Sequence, residues 1–303
     1  MKIFLDNPSW GKVTLLRQTS QYSGLTQNAQ YFFKENEASQ CDYHLTLEPI
    51  KKKYRNRSGR DIDTIFYHME NKRIWEPSLK DLDGINIYIS PFQNKFAPRN
   101  IKYIRYFPCV PWFYGISFAV NAGLLHKPLY SGIELDAIRS SKIKKKDKLI
   151  SMIVSGKEGT YGHAWRKNLA ISLKHAFGDK IDIYGFGFNP IPDKRIALDN
   201  YVYSIVIENS CEEYYVTEKI VDCLIGWSIP IYSGAQNIDN LLGVKVPRIE
   251  YGCTVETAVK KIKDIIFASE WDYEMLQKAR AVAIDKLNIF TALPSLVREG
   301  SST

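Results

Sequence analysis

Long apolar runs are missing from this 303-residue sequence: no segment reaches the roughly 18–20 consecutive apolar residues that cross a bilayer. The opening residues, MKIFLDNPSW, lack the apolar core of a secretory leader, so a soluble protein is expected. Cysteine is sparse. Cys41, Cys109, Cys211, Cys223 and Cys253 are odd in number and widely spaced, which supplies neither a metal cluster nor a disulfide framework and favours a reducing, cytoplasmic setting. Zinc-finger spacing, paired RNP strands and a helix-turn-helix pattern are also absent, so nucleic acid is not an expected partner. No G-K-[ST] closes a glycine-rich loop, which excludes a Walker phosphate loop.

What is present is a core. Hydrophobic residues make up 45% of the chain, too many for a disordered segment. The 19 tyrosines and 6 tryptophans exceed what a core needs and suit contacts with sugars or protein surfaces. The net charge of +8 points to phosphate-bearing partners. Much of the excess lies in KKKYRNRSGR (51–60) and KIKKKDK (142–148), read as solvated loops or as patches for phosphate or for peripheral membrane contact.

The length suggests two domains. In the first half, KIFLD, DTIFYHM (63–69), GINIYIS (84–90) and IKYIRYF (101–107) read as buried strands separated by Pro, Asn and Gly turns. After a charged, poorly periodic stretch the pattern restarts with strands at 149–155, 182–187, 203–209 and 228–234, and helices over 163–178, 217–226 and 254–268. Thr254 stands at the cap of the last of these, with Glu256 in its first turn. The expected division is 1–145, an acceptor-side α/β domain; 146–270, a nucleotide-binding Rossmann-like domain; and 271–303, a single helix over 271–290 packing back across a cleft, followed by a frayed tail. The fold class is α/β, doubly wound, with ligands expected beyond the carboxyl ends of the strands.

That rim is where the polar residues collect. In YSIVIENSCEEYYVTEKIVDCLIGWSIPIYSG (203–234), Glu208 and Asn209 end a strand, Tyr215 lies in the following loop, and Thr217 can cap the helix that begins with Glu218 and Lys219. A lysine in a first turn opposes the helix dipole but suits a bound anion. Glu218 beside a phosphate is better employed accepting hydrogen bonds from sugar or ribose hydroxyls; the alternative is a capped surface helix. A second anion site is expected in SGKEGTYGHAWRKN (155–168), where Arg166 can chelate a diphosphate. Lys157 and His163 are weaker candidates there. Two anion sites suit transfer of a group from a nucleotide diphosphate, which also needs a base for the acceptor hydroxyl. Glu70, just beyond the strand 63–69, is the candidate; His68 is its rival, although strand alternation turns one of the pair inward, and Glu76 lies further along the loop.

The stretch from YVYSIVIENS through TEKIVDCLIGWSIPIYSG resembles the donor-binding signature of the α1,3/α1,4-fucosyltransferase family, where Phe-Glu-Asn-Ser precedes Tyr-[Val/Ile]-Thr-Glu-Lys and then Pro-[Ile/Val]-[Ile/Val] before Gly. The likeness is firm over 149–235 and looser from about residue 60, where HMENKRIWEPS resembles the segment near the family's catalytic base. It implies a GT-B glycosyltransferase with two Rossmann-like domains and GDP-fucose as donor. Glu70 would be the general base, Arg166 and Lys219 would hold the diphosphate, and Asn209, Tyr215, Glu208 and Glu218 would line the nucleotide-sugar pocket, with no bound metal or cofactor. The acceptor would be a glycan hydroxyl, of GlcNAc or glucose. The departures are Ile207 in place of Phe, and AQNIDNLLGVKVPRIEYGCT after Gly234 in place of the family's Ser-Phe-Ile segment. They keep open a transferase for another activated sugar, and a non-catalytic glycan-binding protein on the same fold.

Overall fold

The structure, a computed structural model, describes all residues except 7–11, 48, 50–52, 73, 94–97, 118–131, 157–160, 269–270 and 300–303. The chain divides into two units: Met1–Pro111 with Glu134–Ala137 and Asp285–Thr303, and Trp112–Ile133 with Ile138–Ile284.

The first unit is built on six parallel strands: β1 (Lys2–Leu5), β2 (Gln30–Phe32), β3 (Tyr43–Thr46), β4 (Asp63–Tyr67), β5 (Ile87–Ser90) and β6 (Lys102–Arg105). Their order is β2-β1-β3-β4-β5-β6. Alternation along each strand assigns the two faces. Ile3, Leu5, Leu45, Ile65, Tyr67, Ile87 and Ile89 share one core with Ile289, Phe290, Leu293 and Val297. Phe66 and Tyr88, one residue out of phase, pack on the other face with Leu82, Ile85 and Ile101. Each such side chain contributes about 1.5–3 kcal/mol when fully buried. The four expected strands are found; β2 and β3, only three and four residues long, had not been expected.

The expected single helix over 271–290 is two helices, Tyr273–Lys286 and Ile289–Glu299. The cause is Asn288. Its Oδ1 accepts the Phe290 amide at 3.1 Å, while its Nδ2 donates to the Gln18 carbonyl at 2.9 Å, so a fully buried side chain starts a new helix where the old one would have run on. The second helix absorbs Arg298 and Glu299 from the segment expected to fray. Pro294 sits inside it and cannot donate to the carbonyl four residues back. That carbonyl, of Phe290, accepts the Tyr31 hydroxyl instead, at 3.1 Å.

The second unit carries four parallel strands, β7 (Lys148–Ile153), β8 (Ile181–Tyr184), β9 (Tyr201–Ile207) and β10 (Ile229–Ser233), in the order β10-β9-β7-β8. The helix Tyr161–Phe177 joins β7 to β8, Glu218–Ile225 joins β9 to β10, and Val255–Ala268 follows. Ile150, Met152, Tyr203, Ile205, Ile207 and Ile231 meet Trp165, Leu169 and Leu173 of the first helix and Ala258 and Ile262 of the third. Thr254 caps that third helix as expected, its hydroxyl accepting the Thr257 amide at 3.2 Å. Among the described residues no helix is long and apolar enough to cross a membrane.

Candidate functional site

Immediately after β9, Glu208 keeps the sheet register, its amide donating to the Ser233 carbonyl at 2.8 Å, while its side chain is completely buried. A buried carboxylate must be matched by donors. Thr217 supplies two: its amide reaches Oε1 at 2.8 Å and its hydroxyl reaches Oε2 at 2.7 Å. The Lys219 ammonium lies 3.2 Å from the same Oε2 and donates to the Thr217 hydroxyl oxygen at 2.8 Å. Thr217 therefore occupies the cap position of Glu218–Ile225 without capping it, because its hydroxyl is turned back to Glu208. The arrangement closes the loop between β9 and the helix. It also explains Gly234: a Cβ there would lie 2.7 Å from Glu208 Cγ and 2.5 Å from the Tyr232 hydroxyl.

The charges around this anchor are interlocked. Burial works against a charged Lys219, yet Glu208 and Glu218 outweigh it and hold the ammonium above its ordinary value. Arg166 is only 7% exposed; its Nε donates to the Gly162 carbonyl at 3.2 Å and its Nη1 to the Ile207 carbonyl at 3.4 Å. Burial lowers its pKa against the opposing pull of Glu208. For Glu218, Lys219 and Lys194 together overcome burial and keep the carboxylate below its usual range. Asp222 is the opposite case, raised by burial in spite of Lys194.

In the second unit, then, Glu208, Thr217, Glu218, Lys219 and Arg166 are neighbours. Tyr215, 2% exposed, lies close enough to Arg166 to act on its charge. Asn209 is half-buried and its carbonyl accepts the Tyr251 hydroxyl at 2.9 Å. That contact passes over Gly162, where any Cβ would strike the Tyr251 hydroxyl. His163 is half-buried, and Lys157 lies outside the described residues. In the first unit Glu70 and Glu76 are exposed, and the Asn71 amide donates to Glu70 Oε1 at 2.8 Å. His68 is turned inward as alternation required: it is 1% exposed, within hydrogen-bonding distance of the Tyr88 hydroxyl at 3.0 Å and edge-on to Trp75.

Two residues of the site escaped the sequence reading. Lys194 approaches Asp222 Oδ2 at 2.5 Å and Glu218 Oε1 at 3.7 Å. The available signal was Asp222 itself, an acid inside the apolar run KIVDCLIG, which demands a cationic partner. The basic stretch 142–148 also contributes inward: Lys146 donates to the carbonyls of Leu198 and Gly226 at 2.9 and 2.6 Å, and Lys148 pairs with Asp182 at 2.9 Å. Among the described residues no group of three or more His, Cys, Asp or Glu side chains is arranged to hold a metal ion.

Residues 143–245 match the sequence profile of the C-terminal part of glycosyltransferase family 10 (fucosyltransferase). A fucosyltransferase-like protein of Arabidopsis thaliana is 41% identical over 64 residues, a stretch that makes up 20% of this chain and 12% of that protein. The matched stretch thus spans about one-eighth of the relative's length. A solved α1,3-fucosyltransferase with GDP-fucose superposes with a TM-score of 0.51 at 16% identity, covering 100% of this chain and 90% of that one. The α1,3-fucosyltransferase structure with GDP gives 0.52 at 17%, covering 98% and 90%. At such identities the likeness is one of fold: two separate parallel sheets flanked by helices, the GT-B architecture of paired Rossmann-like domains. Over the segment that holds Arg166, Glu208, Thr217 and Lys219, the chain is similar to the family 10 fucosyltransferases.

Proposed function

We propose that the chain is an inverting glycosyltransferase that moves fucose from GDP-fucose to a hydroxyl of a glycan acceptor, GlcNAc or glucose in α1,3 linkage. The observation that carries this reading is Lys219, an ammonium fixed by Glu208 and Thr217 at the carboxyl end of β9, inside the segment related to fucosyltransferases. A fixed cation requires little reorganisation when charge develops on a departing diphosphate. In this reading Lys219 and Arg166 stabilise the diphosphate, while Asn209, Tyr215 and Glu218 contact the nucleotide and sugar. The bond between the anomeric carbon and the phosphate oxygen breaks, its electron pair leaving with GDP. The acceptor oxygen attacks the opposite face and passes its proton to Glu70. No resident metal is assigned a part, because side-chain cations supply the charge. The expected setting is cytoplasmic, with the basic surface available for peripheral membrane contact.

A second donor class is kept by one observation, the sequence 235–254, which departs from the family's pattern directly after Gly234. Calorimetric titration with GDP, GDP-fucose, UDP and UDP-glucose separates the two. GDP-fucose binding tighter than GDP, with release of GDP when a GlcNAc-terminated oligosaccharide is added, is the expected result. A preference for uridine nucleotides would replace the donor, and folded protein that binds none of the four would overturn the enzyme reading.

A further inference from the structure

We propose that Lys194 is a positioning residue of the same site, clamped between Glu218 and Asp222 so that Glu218 remains a charged, open acceptor for the hydroxyls of the nucleotide-sugar. The inference rests on the donor-site reading above, and it begins from geometry. Glu218 and Asp222 stand four residues apart on one helix, and so on one face of it. Asp222 is 1% exposed. Its Oδ1 accepts the amides of Phe113 and Tyr114 at 2.9 and 2.8 Å, which ties the helix to residues 113–114. Its Oδ2 takes the Lys194 ammonium at 2.5 Å, and that ammonium also lies over the Phe113 ring, 5.2 Å from the centroid.

Glu218 is held differently. Its Oε1 lies 3.7 Å from Lys194 and 3.8 Å from Lys219, within ion-pair range of both yet beyond hydrogen-bond length from either. Two cations thus attract the carboxylate without donating a hydrogen bond to it, while the Thr217 side chain and the Glu218 backbone amide also favour its charged form. Without Lys194, Glu218 would face the buried Asp222 directly, and two neighbouring carboxylates in a poorly solvated place share a proton between them; Asp222 Oδ1 keeps its two amide donors, which favour its ionised form, so part of that proton falls to Glu218. The other charges acting on the group are Arg166 and Lys219, which favour ionisation, and Glu208, which is already matched by Thr217 and Lys219. Lys194 is therefore the group that separates Glu218 from Asp222. A protonated Glu218 would lose an acceptor site and present a proton to the sugar, so the effect of Lys194 passes through Glu218 to the ligand.

The test uses the whole protein with carboxyl-labelled glutamate, the Glu218 resonance being assigned by its loss in Glu218→Gln. In Lys194→Met the titration of Glu218 should move to higher pH, and GDP-fucose affinity at neutral pH should fall about tenfold, the scale of one hydrogen bond to a charged group. Lys194→Arg should restore both. Lys194→Met added to Glu218→Gln should cost little more affinity, since the group it acts through is already neutral. Should Lys194→Met fail to fold, Asp222→Asn supplies the reverse measurement: with the competing charge removed, Glu218 should titrate at lower pH. An unmoved Glu218 titration in folded Lys194→Met, or in Asp222→Asn, overturns the proposal. Wild-type protein that does not bind GDP-fucose counts against the donor reading alone, because the Glu218 titration still decides what Lys194 does.

Discussion

Lys219 holds its ammonium 3.2 Å from a Glu208 carboxylate that has no contact with solvent and is already bound twice by Thr217. The lysine proposed to meet a diphosphate is thus one corner of an internal network, and its position is set by residues that no ligand has to touch. Losing Glu208 should therefore disturb both the fold and the site.

Glu208→Ala leaves the Thr217 amide and hydroxyl without their acceptor, at about 1–3 kcal/mol each. We expect a stability loss of roughly 2–5 kcal/mol in urea unfolding. Nucleotide affinity should also fall wherever folded protein remains. Unchanged affinity in the folded fraction would show that Lys219 is placed by something other than Glu208.

Gly234→Ala should act on the same anchor from the opposite side. The added methyl meets the Glu208 side chain and the Tyr232 hydroxyl, and overpacking of this kind costs about 1–3 kcal/mol. A thermal melt as high as that of the wild type would mean that the space is larger than the geometry indicates.

Glu70 offers the contrasting case, being exposed and outside any core. Glu70→Gln should leave stability and GDP-fucose affinity near those of the wild type while lowering turnover by about a hundredfold or more. Turnover within a few-fold of wild type removes Glu70 as the base.

Acid should weaken the first unit through His68. Burial lowers its pKa from 6.5 to about 4, so between those values the unfolded chain binds the proton more readily than the folded one. Stability from this group is complete above pH 6.5 and declines as pH falls towards 4, by about 3 kcal/mol over the interval. Denaturant unfolding of wild type and His68→Phe across this range should show a shallower acid slope in the variant; equal slopes would assign the acid loss to other groups.

Tyr31 and Pro294 should be coupled, because the Tyr31 hydroxyl occupies the carbonyl that the proline leaves vacant. Tyr31→Phe should cost about 1–3 kcal/mol by stranding that buried acceptor. Adding Pro294→Ala returns a backbone donor to Phe290, so the double variant should recover part of the loss. Simple additivity would count against the coupling.

Much of this molecule was legible in order of signal strength. The strands of the second unit and the helices between them are strongly patterned, and they were found where periodicity put them; β2 is only three residues long, and β3 buries the polar His44 and Thr46, so neither shows an apolar run. Asn288 defeated the reading of the closing helix because a polar residue at one point in a helical pattern looks like a surface position, whereas this one is buried and caps a second helix. At the site, the positions of Glu208 and Thr217 were legible but their relationship was not. Helix-cap reasoning assigns the Thr217 hydroxyl to its own helix, and only the burial of Glu208 redirects it. Lys194 was missed for a related reason, since nothing in PDKR reveals a partner 28 residues away.

The helix Ile289–Glu299 completes a core whose other members lie mostly within the first 110 residues. On the ribosome, the sheet β1–β6 must wait for that helix while the whole second unit emerges, so the unit begun first is the one finished last. Until then, Ile3, Leu45 and Ile65 have no Phe290 or Leu293 to cover them. The nascent first unit consequently keeps apolar surface uncovered for longest, and a chain ending between residues 284 and 289 would hold the whole second unit but a first unit without its covering helix.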